Sequence, residues 1–251
     1  MKTVQISDKV YIISDIAGCC SNLVLGRDRA LVFDTCAGIE DLRGAVREIT
    51  DLPLLVINSH GHFDHIGGNS LFDEVYLRPA DLPLLTVHPA PLLEQWMREM
   101  SGGGTRFPVK AGDFGRTLPL DLDSFDLGDM ECKIVPLPGH TAGSVGVYIP
   151  KLRLLLSGDA FTPVLLLVFA GHGTVEDEIA SINTALALDF DVYLTSHHET
   201  PFTKDILRRL LGCLESVGAS KGYRYTYPKP PYSDGRLYID RKPGEPVAVV
   251  V

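Results

Sequence analysis

From the N-terminus, "VQISDKVYII" alternates apolar and polar residues and then turns apolar, the pattern of a strand. "SNLVLGRDRALVFDT" carries two short apolar runs on either side of Gly26-Arg27-Asp28, which predicts a hairpin. Over residues 39–49 the period becomes helical, with Ile39, Leu42, Val46 and Ile49 on one stripe. "LPLLVINS" at 52–59 predicts a buried strand, and "DEVYLRP" at 73–79 another one after a short helix. The pattern breaks over 80–117. There, prolines mix with the helical run "LLEQWMREM" and "SGGGT" supplies a flexible stop, predicting a helical insertion or lid rather than sheet.

Strand patterns then resume. "FDLGDMECKIVPLP" predicts strand–turn–strand around Gly128-Asp129, and "SVGVYIP" and "LRLLLSGDA" predict two more strands. Residues 175–188 predict a helix, 191–196 a strand and 203–217 a helix. Each half runs strands first and a strand–helix–strand unit later, with no residue-level repeat. Such alternation predicts an α/β layered fold, taken as one domain over 1–251. The tail, 218–251, alternates aromatic and polar residues among prolines and predicts an edge hairpin.

Composition narrows the function classes. The 251 residues are 45% hydrophobic and 22% charged, an ordinary globular balance. Lys plus Arg number 23 against 32 Asp plus Glu, a net charge of −9, so no nucleic acid or anionic membrane partner is expected. "MKTVQISDKVYIIS" lacks the apolar run of a signal peptide, and "VLLLVFAG" at 164–171 is too short to cross a bilayer. A cytoplasmic location is expected. Cys19, Cys20, Cys36, Cys132 and Cys213 are odd in number, form no CxxC pattern, and are expected to be reduced; Cys19 and Cys20 read as small buried residues rather than reactive thiols.

The chemistry gathers in "NSHGHFDHIGGN", residues 58–69, where four of the six positions from His60 to His65 are His or Asp. At the end of an extended segment His60 and His62 leave the same face and can approach one metal ion. Asp64 and His65 follow a turn and can point to a second position, while Gly67 and Gly68 allow close packing behind the loop. Three more candidates each end an apolar strand pattern: His140 after "IVPLPG", Asp159 after "LLLSG" and His197 after "VYLTS". Singly each reads as a turn residue; strand ends on one sheet edge are also where sites assemble.

In type, order and approximate spacing these seven residues, with "PGHTAGS" and "SGDA" around His140 and Asp159, resemble the metallo-β-lactamase superfamily. Asp34 in "LVFDT" is similar to that family's early strand-end Asp, which supports the site from behind. The resemblance covers residues 4 to about 217. It implies a four-layer αβ/βα sandwich with a dinuclear site at one edge. It implies His60, His62 and His140 on one metal, Asp64, His65 and His197 on the other, and Asp159 bridging. Where the family has Gly-His at the last ligand, this chain has "SHHE"; His198 competes, and His197 is preferred because its neighbour falls at the Gly position.

Five histidines and two carboxylates suit zinc, with iron or manganese permitted. Two divalent ions about 3.5–4 Å apart would share a water and lower its pKa toward ~7, giving a hydroxide nucleophile. The resemblance adds Asp64 as a proton shuttle to the leaving group. The family's flavin-linked diiron members usually carry Glu where His62 stands. Its glutathione thioesterases carry a helical C-terminal domain for which this tail is too short. The expectation is a metal-dependent hydrolase of a small-molecule ester, lactone or thioester. The alternatives are an iron-dependent redox enzyme on the same fold, diiron or persulfide-dioxygenase-like, and a β-lactam or phosphodiester hydrolase. A binding protein that retains only the fold would be expected to have lost a ligand.

Other positions take plainer readings. Leu92, Leu93, Trp96 and Met100 form a stripe read as packed on the core, with a lid or homodimer face as the alternative. "FTPVLLLVFAGHG" is read equally as core or as an acyl-pocket wall. His88 and His172 read as loop histidines, with His172 also a candidate to support the site. Tyr223, Tyr225 and Tyr227, with Lys221 and Arg224, read as a solvated edge strand rather than a substrate anchor.

Overall fold

The opening alternation folds as two strands rather than one. In the computed structural model, which describes residues 1–228 and 233–251, Asp8 and Lys9 turn the chain between β1 (Lys2–Ser7) and β2 (Val10–Ser14). The alternation belongs to β1, whose edge position leaves it largely exposed; β2 is buried on both faces. The expected hairpin joins β3 (Cys20–Leu25) to β4 (Ala30–Phe33). Next, α1 (Leu42–Arg47) is shorter than its apolar stripe because the Asp41 side chain accepts from Gly44 N and caps it there. β5 (Leu54–Ile57) follows, then α2 (Phe63–Ile66) and β6 (Val75–Leu77).

The stretch over 80–117 is helical in part. A 3-10 segment, Pro79–Thr86, precedes α3 (Ala90–Met100), whose Leu93, Trp96 and Met97 are buried. Its end is a correction. β7 (Thr117–Pro119) pairs in parallel with β6, so the chain returns there to a seven-stranded sheet, ordered β1 to β7. Three residues interrupted by a proline carry too little alternation to register as a strand.

The second sheet contains β8 (Ser124–Asp126), β9 (Glu131–Pro136), β10 (Val145–Ile149) and β11 (Leu154–Leu156), paired antiparallel in chain order. After β12 (Val164–Leu166) and α4 (Val175–Ala187), β13 (Val192–Leu194) joins β11 in parallel, and α5 (Lys204–Glu215) covers the outer face. A full capping box between Thr174 and Asp177 fixes the start of α4. Ile12, Phe33 and Ile57 of the first sheet pack on Leu127, Val147 and Leu156 of the second. Outside the first sheet, Leu42, Val46 and Trp96 cover Leu23, Val32 and Val56; outside the second, Ile182, Leu207 and Leu210 cover Leu155 and Tyr193. Helix, sheet, sheet and helix stack in that order, the expected α/β sandwich.

The tail is more than an edge hairpin. β14 (Tyr223–Thr226) and β15 (Asp234–Asp240) form the expected antiparallel pair, but β16 (Val247–Val250) continues the sheet and pairs in parallel with β12. Val247 and Val249 are fully buried against α5, which is why the apolar C-terminus seeks a strand partner. Residues 229–232, in the proline-rich part of the tail, lie outside the described residues. Among the described residues no helix is long and apolar enough to cross a membrane.

Candidate metal centre

β4 and β5 are parallel neighbours, so their C-terminal ends open at one edge. Asp34 ends β4 with φ +69, a left-handed conformation that costs a non-glycine residue energy. What holds it there is a ring of donors. Its carboxylate accepts from Ser59 N at 2.6 Å, Ser59 Oγ at 2.8 Å, His65 Nδ1 at 3.0 Å and Ser196 Oγ at 2.5 Å. One buried residue thereby ties the 58–65 loop to the segment after β13. The paired glycines do the work expected of them: a Cβ on Gly67 would stand 2.4 Å from the Ala37 carbonyl oxygen, and one on Gly68 2.3 Å from that of Thr35.

Each histidine of the set has one nitrogen fixed from outside. His60 Nδ1 meets Ser59 Oγ at 2.9 Å; since that hydroxyl donates to Asp34, it must accept from the imidazole. His62 Nε2 donates to Ala170 O, His140 Nδ1 to Leu166 O, and His197 Nδ1 to Gly18 O. The opposite nitrogens face inward. His62 Nδ1 lies 3.0 Å from His60 Nε2 and 3.1 Å from His140 Nε2. With the outer nitrogens carrying the protons, three lone pairs point at one another, an arrangement that a cation relieves. Donors on one tetrahedral zinc with bonds of about 2.0–2.2 Å sit roughly 3.3–3.6 Å apart, so the triad lies a few tenths of an ångström inside that spacing and would open slightly around the ion. Burial, and then repulsion from neighbouring imidazoles, pushes His60 well down and His140 down to about 4; burial lowers His62 also. All three are neutral donors near pH 7.

The other four residues gather beside them. Asp159 Oδ2 stands 3.1 Å from His197 Nε2, 3.4 Å from His65 Nε2 and 3.8 Å from His140 Nε2, between the two sets. Asp64 Oδ2 lies 3.4 Å from His197 Nε2 and 3.7 Å from His65 Nε2. Burial would raise both carboxyls, but His197 and His65 outweigh it and hold Asp159 and Asp64 well below the usual range. The same contacts raise His65 and His197 against the opposing effect of burial. Protons there occupy positions that a cation would take over. His65 Nε2 and Asp159 Oδ1 are buried without a hydrogen-bond partner, polar atoms that a cation could satisfy. All seven expected residues thus come together. His198 does not join them: its Nδ1 pairs with Thr195 Oγ1 at 2.9 Å and its ring packs on Phe202.

Other residues escaped the sequence reading. Asp81, in the 3-10 segment, accepts from Gly61 N at 2.9 Å, Thr141 Oγ1 at 2.7 Å and Gly143 N at 2.7 Å, joining the two histidine loops. Nothing in "RPADLP" marks it. Cys19 comes within 4.8 Å of donor atoms of Asp64 and His197. β14 is the expected edge strand, with Tyr223 and Arg224 exposed, but the third sheet folds over the site, and Tyr225 and Tyr227 line the cavity of about 300 Å³ that opens onto His62, Asp64 and His197. Val164 and Leu166 line it too, while Leu165 and Leu167 point into the core, so the apolar run serves both purposes by alternation. Trp96 and His88 complete the wall; His172 is an exposed loop residue.

A family model described as "Metallo-beta-lactamase superfamily" matches residues 18–197. The chain belongs to that superfamily. Acyl-coenzyme A thioesterase MBLAC2 of Homo sapiens is 26% identical over 185 residues, covering 66% of this chain and 66% of the relative. The chain therefore spans just under two thirds of that relative's length. Hydroxyacylglutathione hydrolase of Brucella ovis is 25% identical over 147 residues, covering 57% of this chain and 47% of the relative. Among solved structures, the metallo-β-lactamase from Pontibacter korlensis superposes with a TM-score of 0.59 at 20% identity, covering 85% of this chain and 98% of that one. That likeness establishes the fold of the metallo-β-lactamase superfamily member and no substrate.

Proposed function

We propose that the protein is a metal-dependent hydrolase of small acyl esters, with thioesters the favoured class and lactones within reach. The observation that carries this reading is the inward convergence of five imidazoles whose outer nitrogens are fixed, three of them, His65, His140 and His197, within 3.8 Å of Asp159 Oδ2. His60, His62 and His140 would hold one cation, Asp64, His65 and His197 a second, with Asp159 shared. Such divalent ions supply the Lewis acidity that makes water nucleophilic near pH 7 and polarises an acyl carbonyl. Zinc suits the donors best.

The chain's own groups do the rest. Asp64 lines the cavity beside His197 and is the carboxylate placed to pass a proton to the leaving sulfur or oxygen. Tyr227 is pushed up to about 12 by burial and then by Asp64, so its phenol stays a hydrogen-bond donor toward the substrate. Val164, Leu166 and Phe169 bind an apolar acyl group and exclude water from the carbonyl. None of the described lining residues is Lys or Arg. A neutral acyl group therefore suits the cavity better than an anionic one, and charged parts of a thiol leaving group extend to solvent. The similarity to an acyl-coenzyme A thioesterase supports the same class.

The test is metal content together with hydrolysis of acyl-coenzyme A, acylglutathione, aryl ester and lactone substrates. Apolar acyl thioesters should be cleaved fastest, and the His60→Ala/His62→Ala variant should lose metal and fall to background. Undiminished hydrolysis after chelation, or full metal retention by that variant, would overturn the reading. Bound iron with oxygen uptake on a persulfide would replace it with the redox alternative.

A further inference from the structure

Opposite the histidine triad, the Asp64–His197 side of the centre meets the turn between β2 and β3, which no expected ligand occupies. Cys19 lies in that turn, only 2% exposed. Its Sγ, a carboxylate oxygen of Asp64 and an imidazole nitrogen of His197 lie within 4.8 Å of one another. We infer that Cys19 is a sulfur ligand of the second cation, alongside Asp64 and His197. The inference rests on the metallo-hydrolase reading above and adds a donor to it.

The turn is built to hold that sulfur in place. Asp15 Oδ1 accepts from Ala17 N at 2.9 Å and Cys19 N at 3.0 Å, its Oδ2 accepts from Ala37 N at 3.1 Å, and Asp15 N donates back to Cys19 O at 3.0 Å. Gly18, at φ +84, allows the tight reversal. Its carbonyl accepts from His197 Nδ1, and Cys20 N donates to Ser196 O at 2.8 Å. The same turn thus fixes the outer nitrogen of His197 through Gly18 and brings the Cys19 sulfur close to that imidazole. The neighbouring thiols are engaged elsewhere: Cys20 Sγ donates to Gly18 O, and Cys36 Sγ lies against the carbonyls of Ile13 and Cys19. Cys19 faces a carboxylate and an imidazole instead. Independently, His65 Nε2 is buried without a hydrogen-bond partner and directed into this centre, 3.7 Å from Asp64 Oδ2 and 3.4 Å from Asp159 Oδ2.

On ligation the thiol loses its proton to solvent as the sulfur–metal bond forms. A thiolate added to nitrogen and oxygen donors selects zinc or cobalt over manganese and magnesium, since soft sulfur contributes little to hard cations. The second site is then the more zinc-selective of the two.

X-ray absorption of the fully zinc-loaded protein tests this directly. A sulfur shell at about 2.3 Å, distinct from nitrogen and oxygen at about 2.0–2.2 Å, is expected, at one sulfur per two zinc ions. Cobalt loading should produce the near-ultraviolet thiolate-to-cobalt charge-transfer band. Cys19→Ser should abolish both signals and weaken the second equivalent of zinc at least about tenfold, while Cys20→Ser keeps both. Wild-type protein that binds two zinc ions with no sulfur shell overturns the Cys19 assignment and leaves the hydrolase reading standing. Wild-type protein that binds no metal at all overturns the hydrolase reading, and the assignment with it. Should Cys19→Ser fail to fold, the wild-type sulfur shell still decides whether sulfur is bound, and its survival in variants of Cys20, Cys36, Cys132 and Cys213 assigns it to Cys19.

Discussion

Four donors converge on the two oxygens of Asp34, and the residue accepts a left-handed backbone in order to receive them. Asparagine has nearly the same shape but replaces one acceptor oxygen with a donor, so either Ser59 N or the Ser59, His65 and Ser196 side chains would meet an N–H group. An unmatched buried pair of this kind costs about 1–3 kcal/mol. Because Asp34 also orients His65 and, through Ser59, His60, the loss should reach the metals. Asp34→Asn is expected to lower the thermal midpoint and to weaken zinc binding roughly 10–100-fold, measured by calorimetric titration against a competing chelator. Unchanged zinc affinity would show that the imidazoles are oriented without it. Asp34 was legible because it ends an apolar strand inside a family-like "LVFDT". Asp81 and Cys19 were not: each acts at the site through chain segments distant in sequence, and neither carries a local pattern.

At the scale of elements, the sheets are fastened at the end opposite the site by their turns. Asp129, between β8 and β9, accepts from Lys9 Nζ at 2.6 Å, Arg27 N at 3.1 Å and Lys151 Nζ at 3.1 Å, linking turns of both sheets. Lys9 first, and then Lys151, holds its carboxyl down to about 2, against an ordinary value of 3.8. A folded-state value below the unfolded one means that this fastening is fully present above the ordinary value and is lost as pH falls toward about 2. Asp129→Asn should therefore melt earlier than wild type at neutral pH, and the gap should close on acidification. A gap independent of pH would show that packing, not charge, matters there. Turn chemistry was also the most readable part of the fold: Gly26-Arg27-Asp28 and Gly128-Asp129 announced their hairpins, and strands with long apolar runs were found in place. What could not be read were β7 and β12, one ending in a proline and the other inside a longer apolar run, whose identity as strands depends on the partner they meet. The tail tyrosines do lie on and beside an edge strand, as read. That Tyr225 and Tyr227 also line the cavity could not be read, since the β12–β16 pairing that brings the third sheet there joins distant segments.

Across the whole molecule, the centre draws on loops that follow β4, β5, β9, β11 and β13, so both sheets must be docked before its donors meet. The unfolded chain has no such arrangement, and cations that bind only the folded form add their binding energy to its stability. With free zinc at about 100 times its dissociation constant, one site contributes about 2.7 kcal/mol. For a chain of 251 residues, each kcal/mol shifts the midpoint by about 2–4 °C, so one occupied site should raise it by roughly 5–11 °C. Stripping the metals with a chelator should lower the midpoint by at least that amount, and zinc should restore it. His60→Ala/His62→Ala, with one site dismantled, should recover less than the wild type. The third sheet contributes wall residues but none of the seven donors, so Tyr227→Phe should show the full zinc-dependent shift while its hydrolysis is impaired. A midpoint indifferent to zinc in the wild type would mean that these donors close on themselves without a cation, and the sandwich would then be held by its three apolar cores alone.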